Sequence, residues 1–371
     1  MKVLKIMSRY NVGGTAQWLY QLSHGLSENS IENRMLVGNC PNGEKEDERL
    51  SSINHTKIPG LGPGTNPLST LIAFFQIRRE IKNFRPDIVN THTSKAGVLG
   101  RIAAKSIRPA PKVIHTYHGH VFYGYFNPII EFGVKRIEQI LGLFTDIFFV
   151  LGDKVLKDLK TLHLVNNKNY HQVLPGVADP VRLDRAKVRN DLGTKGDSFV
   201  VGWLGRKVPI KRIDRILDLA EINPEMTFLI AGVGTPVLET YKNRFSNGKL
   251  SNVIEKGFAT PAQIWSASDV CLITSDNEGI PTSSIEAALY SIPVVSTNAG
   301  SIRDVVVDGT TGFICLSNIA SLSDALRRLH DGPGLAKEMG SKARKLALDK
   351  FSPEVSVEAQ IRGYKKVLAR S

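Results

Sequence analysis

The sequence predicts an α/β protein of two domains, each a doubly wound parallel sheet, the two facing each other across a cleft. Three observations lead there. The chain has 371 residues, too many for one ordinary core, so two domains of about 150–200 residues are expected. Short apolar, β-branched runs alternate with amphipathic helical stretches, the pattern of parallel strands covered on both faces. The alternation breaks once, at a stretch rich in Pro, Gly and charge, and then restarts.

From the N-terminus, "KVLKIMS" reads as a strand leading to a helical "TAQWLYQLSHGL". Its apolar run is interrupted by Lys5 and is too short for a signal peptide. "ENRMLVGN" precedes a helical "LSTLIAFFQIRREIKNF", "DIVNTH" precedes "SKAGVLGRIAAKS", "KVIHTYH" precedes "PIIEFGVKRIEQIL", and "DIFFVLG" precedes "KVLKDLKTL". The interruption, "VLPGVADPVRLDRAKVRNDLGTKGDS", is read as a linker, with domains over residues 1–175 and 176–352. Strands resume at "SFVVGWLG", "TFLIAGVG", "NVIEKGF", "DVCLITS" and "IPVVSTN".

Composition narrows the class. With 42% hydrophobic and 22% charged residues the chain is globular rather than disordered. No apolar run reaches the ~18 residues of a membrane span; "LGLFTDIFFVLG" comes nearest and contains Asp146. Cys40, Cys271 and Cys315 lie far apart with no metal-ligand spacing, which predicts a reduced, cytoplasmic protein. Net charge is +13, with 22 Lys and Arg against 13 Asp and Glu in residues 1–175, and 26 against 22 beyond. A basic N-terminal half fits an anionic lipid surface or a phosphorylated ligand. Without a zinc finger, an aromatic RNA-binding strand or a long basic run, nucleic acid is not an expected partner.

Ligands of open parallel sheets lie beyond the carboxyl ends of the strands, and four stretches fall there. In "SRYNVGGTAQ", Gly13 and Gly14 join the first strand to a helix start whose N–H groups can meet an anion. Structural turn glycines would look the same. "IHTYHGHVF" carries His115, His118 and His120. A metal site is the lesser reading, since no carboxylate is near in sequence; one histidine acting through hydrogen bonds is the better one. In "GWLGRKVPIKR", Arg206 and Lys211 bracket Pro209 and suit a diphosphate, one as a fork and one as a point charge. Two exposed basic residues are the plainer alternative. Lastly, "DNEGIPTSSIEAA" runs from a strand through a turn into a helix, with Pro281 expected at its first position. Glu278 falls at the strand end and Glu286 in the second helical turn, and the N–H groups of Thr282, Ser283 and Ser284 face the turn. Carboxylates accept hydrogen bonds from vicinal hydroxyls, so each can hold a polyol.

Taken together, "NVGGTAQ", "TYHG", "GRKVPIKR" and "EGIPTSSIEAALYSIPVVSTNAGSIRDVVVDGTTGFI" resemble, in this order along the chain and most closely in the last, segments of the family 4 glycosyltransferases, retaining enzymes with the GT-B fold of two Rossmann-like domains. The resemblance spans nearly the whole chain. It implies that Glu286 binds a nucleotide's ribose, that Glu278 with Gly279, Ile280 and Pro281 holds the donor sugar, and that Arg206 and Lys211 hold the diphosphate. Gly14 would let its loop close on the phosphate, and His118 would face the transferred sugar. "PEVSVEAQIRGYKKVLAR" would be the last helix, residues 353–371, returning to the first, acceptor-binding domain. No metal or other cofactor is implied, and no Asp-x-Asp occurs. The linker departs from the family, lacking the usual asparagine between Pro175 and Gly176.

"NTHTSKAGVLGR" and "HTYHGHVFYGYFNP" are similar to members that build bacterial surface polysaccharides on lipid carriers. The partners expected are therefore a nucleotide sugar, UDP-linked in preference to GDP-mannose, a saccharide or lipid-linked saccharide, and an anionic inner-membrane surface. Arg78, Arg79 and Lys82 are the candidate membrane contacts, with Phe74 and Phe75 either inserting or serving as core. Two rival readings stand beside this one. A GT-B sugar-nucleotide epimerase would want further acid–base residues, none of which is identified. A silent binding subunit would have lost some of Glu278, Glu286, Arg206, Lys211 and His118, all of which are present.

Overall fold

Runs that are apolar at nearly every position become the interior strands of two parallel sheets. The structure, a computed structural model, describes residues 1–64, 66–119, 127–167, 169–194, 196–232, 234, 236–241 and 250–370. It divides into unit 1, Met1–Gly176 with Pro353–Ser371, and unit 2, Val177–Ser352.

Unit 1 contains β1 (Lys2–Met7), α1 (Gly14–Glu28), β2 (Glu32–Val37), β3 (His55–Lys57), α2 (Pro67–Phe84), β4 (Ile88–His92), α3 (Ser94–Lys105), β5 (Lys112–Tyr117), α4 (Pro128–Gly142), β6 (Ile147–Leu151), α5 (Asp153–Thr161) and β7 (Tyr170–Val173). Its strands pair in parallel in the order β3-β2-β1-β4-β5-β6-β7. Local chemistry sets the helix ends. The Asn66 side chain accepts from Ser69 N at 3.1 Å and Pro67 follows it, while α2 stops at Arg85 in the left-handed region, just before Pro86.

Alternate strand residues face opposite layers. Leu4, Ile6, Leu36, Val89 and Val113 join the core beneath α2 and α3. Lys5, one step away, points to the α1 side, where its ammonium donates to Ser23 Oγ at 2.5 Å and Asn33 Oδ1 at 2.7 Å.

Unit 2 contains α6 (Arg185–Leu192), β8 (Phe199–Leu204), α7 (Ile213–Ile222), β9 (Met226–Ala231), α8 (Val237–Thr240), β10 (Val253–Lys256), α9 (Pro261–Ala267), β11 (Val270–Ile273), α10 (Thr282–Leu289), β12 (Val294–Thr297), β13 (Gly312–Cys315), α11 (Ile319–Asp331) and α12 (Pro333–Phe351). Its parallel order is β10-β9-β8-β11-β12-β13. The last helix, α13 (Pro353–Leu368), belongs to unit 1. It lies against α1 and the sheet: Trp18 Nε1 donates to Ser356 Oγ at 2.8 Å and Asn90 Nδ2 to Tyr364 Oη at 3.2 Å. At Gly363 the helix comes so close that a Cβ would stand 2.4 Å from the Phe149 ring.

The stretch read as a linker contains the boundary between the units, Gly176 to Val177, but much of it is regular structure. It holds the last residue of β7 and the whole of α6. Asp184 caps α6 by accepting from Lys187 N at 2.7 Å, and Gly193 ends it in the left-handed region. Its charge is partly structural, for Arg189 is buried, donates to Ala267 O at 3.0 Å and pairs with Asp269 at 2.6 Å.

Strand order reverses between β1 and β4 in unit 1 and between β8 and β11 in unit 2. Such a switch point opens a crevice at the strands' carboxyl ends, because the connecting chains leave in opposite directions. In unit 2 the opening begins inside the sheet. β8 pairs with β9 over six residues but with β11 over only two, Val201 with Val270 and Gly202 with Cys271.

Lys5 has a pH signature. Burial lowers its ammonium to about 7 in the folded chain, against about 10.4 in an unfolded one. Between those values the unfolded chain binds more protons, so this residue's contribution to stability rises with pH. The unfolding free energy of the wild type relative to Lys5→Met should therefore climb from pH 7 to pH 10 in urea titrations. A difference that stays flat would mean that Lys5 remains charged in the fold.

Candidate active site

The unit 2 switch point is built from the two loops that leave β8 and β11. They are tied together across the gap: the Thr274 hydroxyl donates to Lys211 O at 2.8 Å, and Asp276 N to Ile210 O at 2.9 Å. Arg212 and Arg215 grip the Asp276 carboxylate at 3.1 and 2.7 Å. On this frame Lys211 and Glu278 meet as an ion pair. Ser275 Oγ donates to Glu278 Oε1 at 2.7 Å, and Thr297 Oγ1 holds the Ser275 carbonyl at 2.6 Å. The carboxylate is thus aimed from two sides.

Glu286 lies in the second turn of α10 and is buried. Trp265 Nε1 donates to its Oε2 at 3.3 Å. Burial, then the Glu286 charge, raises the neighbouring Cys271 thiol, which is therefore held protonated and inert. The start of α10 corrects two expectations. Pro281 is the N-cap, with Thr282 the first helical residue, and Ser284 N donates to Pro281 O at 3.0 Å instead of facing outward. The N–H groups of Thr282 and Ser283 have no acceptor among the described residues and no side chain caps the helix, so they and the helix dipole are disposed toward an anion.

Gly279, Ile280 and Pro281 form the turn that leads from Glu278 into α10, where Thr282 is the first residue. Ser301 N donates to Gly279 O at 2.9 Å from behind. Arg206 is exposed on the β8 loop, with no carboxylate partner among the described residues, and the Lys211–Glu278 pair forms without it. Lys207, passed over in the sequence, is buried at 3% side-chain exposure and paired with Glu255 at 2.5 Å.

In unit 1, Gly13 caps α1 and Gly14 is its first residue, again without a side-chain cap. A Cβ at Gly13 would meet no atom within 4 Å, so open space lies over that turn. The two described histidines of the three have different partners. His115 is buried and 2.9 Å from Thr91 Oγ1, His118 turns instead to His92, and His120 lies outside the described residues. Among the described residues no group of three or more His, Cys, Asp and Glu side chains could hold a metal ion. His118 Nε2 and His92 Nδ1 are 2.9 Å apart, and the Trp18 ring stands edge-on at 5.2 Å from His118. Burial lowers His118 to about 4, so its ring is neutral at physiological pH.

The structure thus places Glu278, the turn and Glu286 on one strand–turn–helix in unit 2 and brings Lys211 to Glu278 from the neighbouring β8 loop. Ser275, Thr297, Trp265 and Asp276 there, and His92 and Trp18 in unit 1, were not singled out by sequence. Two carboxylates, a lysine and free helix N–H groups can together hold hydroxyls and an anion.

Gly300 tests the frame. It sits in the left-handed region at φ 55°, and a Cβ would fall 1.9 Å from the Glu278 carbonyl oxygen. Gly300→Ala should destabilise the protein by about 1–3 kcal/mol, through strain and displacement of backbone that cannot yield. An unchanged urea midpoint would show that the two loops move apart freely.

Known families account for both units. The model for Glycosyltransferase Family 4 matches residues 12–179, and that for Glycosyl transferases group 1 matches residues 184–346. A putative glycosyltransferase EpsD of Bacillus subtilis is 25% identical over 78% of each chain. The UDP-Gal:alpha-D-GlcNAc-diphosphoundecaprenol alpha-1,3-galactosyltransferase of Escherichia coli is 26% identical, also over 78% of each. Among solved structures, Anabaena Alr3699/HepE in complex with UDP and glucose superposes with a TM-score of 0.82 at 19% identity, over 98% of this chain and 99% of that one. Two parallel Rossmann-like units, matched by these models over most of the chain, are the GT-B architecture, and the chain belongs to the family 4 glycosyltransferases.

Proposed function

We propose that this glycosyltransferase moves a sugar from a UDP-sugar to a lipid-linked saccharide in bacterial surface-polysaccharide synthesis, with retention of anomeric configuration and without a metal ion. The observation that carries the reading is the pairing of Lys211 with Glu278 in the turn that leads into α10 and its buried Glu286. In this reading Glu286 accepts from the ribose hydroxyls and Glu278 from the sugar. Arg206, Lys211 and the Thr282 and Ser283 N–H groups take the charge that grows on the diphosphate as the glycosidic bond breaks. The acceptor hydroxyl enters from the face the diphosphate leaves, and its proton passes to that diphosphate. Most of the acceleration would then be positioning and electrostatic stabilisation. The names of the Escherichia coli relative and of the Anabaena complex support UDP, and the former supports a lipid diphosphate acceptor.

A membrane-borne acceptor agrees with an unusual face of unit 1. Helix α4 buries one charged residue, Glu138, while many of its apolar residues face outward. Glu138 is buried, accepting from Arg101 at 2.9 Å and from Tyr117 Oη at 2.9 Å, while Ile129 and Leu143 are each 83% exposed and Phe132, Ile137 and Ile140 also face solvent. α3 packs between α4 and α2, whose exposed Leu68, Leu71, Ile72 and Phe75 share one stripe with Arg79 and Lys82 farther along. Two of the expected contacts change: Phe74 packs on the core, and Arg78 is half-buried on Ser106 Oγ at 3.2 Å. Among the described residues no helix is long and apolar enough to cross a membrane, so the protein would lie on the bilayer surface at the cytoplasmic face.

Glu286→Ala should weaken UDP binding by ~1.5–3 kcal/mol, the range for hydrogen bonds to a charged group. Glu278→Gln should spare UDP and weaken only the intact UDP-sugar. Equal losses of both ligands in Glu278→Gln, or calorimetry that finds UDP unaffected by Glu286→Ala, would overturn the assignments. Co-sedimentation with vesicles should require anionic lipid, and Ile137→Asp with Ile140→Asp should abolish it. Binding that survives those changes would move the contact away from α4.

A further inference from the structure

His92 ends β4 fully buried, and its ring is not used by the reaction as described above. Its Nδ1 lies 2.9 Å from His118 Nε2, and its own Nε2 is buried without a partner among the described residues. Two imidazoles in contact can share only one proton between these nitrogens when both are neutral. Burial, followed by the neighbouring His118 and then Lys5, holds His92 well below the usual histidine range, and burial lowers His118 to about 4. The question is which ring donates.

The unpartnered atom decides it. If His118 donated, His92 would carry its proton on Nε2, leaving an N–H buried with no acceptor. If His92 donates from Nδ1, its Nε2 is only a bare lone pair. Orphaned buried N–H groups are rarer and costlier than under-used acceptors. We propose that His92 is a positioning residue: it donates its Nδ1 proton to His118 Nε2 and fixes His118 as the Nδ1–H tautomer, a hydrogen-bond donor and not a proton acceptor. This rests on the reading that His118 faces the bound sugar. Its other ring nitrogen, Nδ1, then donates to a sugar oxygen, so His118 orients the sugar and takes no proton from the incoming hydroxyl.

The backbone beside His92 is held to match. Thr93 has φ 67°, rare for a β-branched residue, and is pinned there by Ser8, whose N donates to Thr93 Oγ1 at 3.1 Å and whose hydroxyl accepts from it at 2.8 Å. Ala96 N donates to the same Ser8 hydroxyl at 3.1 Å. On the other side Trp18 stands edge-on to both rings, 6.4 Å from His92 and 5.2 Å from His118. The pair is thereby clamped from β1, α1 and α3.

Imidazole nitrogen NMR on the 15N-histidine-labelled full chain reads the tautomers directly, with the two rings assigned from His92→Asn and His118→Ala. Near pH 7.5 both should be Nδ1–H, and a His118 found protonated on Nε2 would overturn the proposal. The carboxamide introduced by His92→Asn keeps a donor near the Nδ1 position, so His118 in that variant should stay Nδ1–H, whereas in His92→Leu it should lose that preference. UDP-glucose and UDP-galactose titrations give the functional side. The gain in affinity of the better-bound sugar nucleotide over UDP should fall about tenfold in His92→Leu, one hydrogen bond's worth, and be largely kept in His92→Asn. A His92→Asn variant as impaired as His92→Leu would refute positioning by donation. A His118→Ala variant with the full gain would instead remove His118 from the sugar, whatever its tautomer.

Discussion

The ion pair between Lys211 and Glu278 is the constraint on which unit 2's site depends. β8 and β11 separate after two paired residues, so no ladder joins the loops beyond them to each other. What replaces the ladder is side-chain and cross-loop bonding, from Thr274 to the Lys211 carbonyl and from Arg212 and Arg215 to Asp276. Lysine and glutamate sit at the top of this frame, one on each loop. Each lends the other a counter-charge in a partly dry place, where an isolated charge would be costly. A ligand with a phosphate for one and hydroxyls for the other can exchange for that contact without leaving either charge bare. The site is thus held in shape, and its charges neutralised, by the two groups that are proposed to bind.

Unit 1 shows a related economy. The Trp18, His92 and His118 cluster is neutral and tightly bonded, suited to orienting a ligand and ill suited to taking protons. Its helices α2 and α4 carry apolar side chains toward solvent, and α4 achieves this by directing Glu138 inward to Arg101 and Tyr117. Net charge and this face together favour a surface that is greasy and anionic.

The interior of both sheets was legible in the sequence because interior parallel strands must be apolar on both faces. The strands that escaped are the edge ones. "HTK" of β3 and "YHQV" of β7 are half-exposed, and β13 is short and begins with glycine, so none makes an apolar run. α6 escaped because its charges resemble a linker; only the fold shows Arg189 buried against Asp269. Among the site residues, those on one continuous motif could be read, as with Glu278 and Glu286. Partners from distant segments could not. His92 meets His118 across 26 positions, and Trp265 meets Glu286 across 21. Nothing in "DIVNTH" sets its histidine apart from a core residue. The pairing of Lys211 with Glu278 was also hidden, since each was read for a ligand and not for the other.

A crystal structure of the full chain with intact UDP-glucose or UDP-galactose bound, whose sugar can meet Glu278, tests the central claim most directly. The account predicts that Lys211 Nζ leaves Glu278 and stands about 3 Å from a phosphate oxygen, with the ribose hydroxyls on Glu286 and the diphosphate over the Thr282 and Ser283 N–H groups. A UDP-sugar seated elsewhere while the Lys211–Glu278 pair stays closed would contradict it.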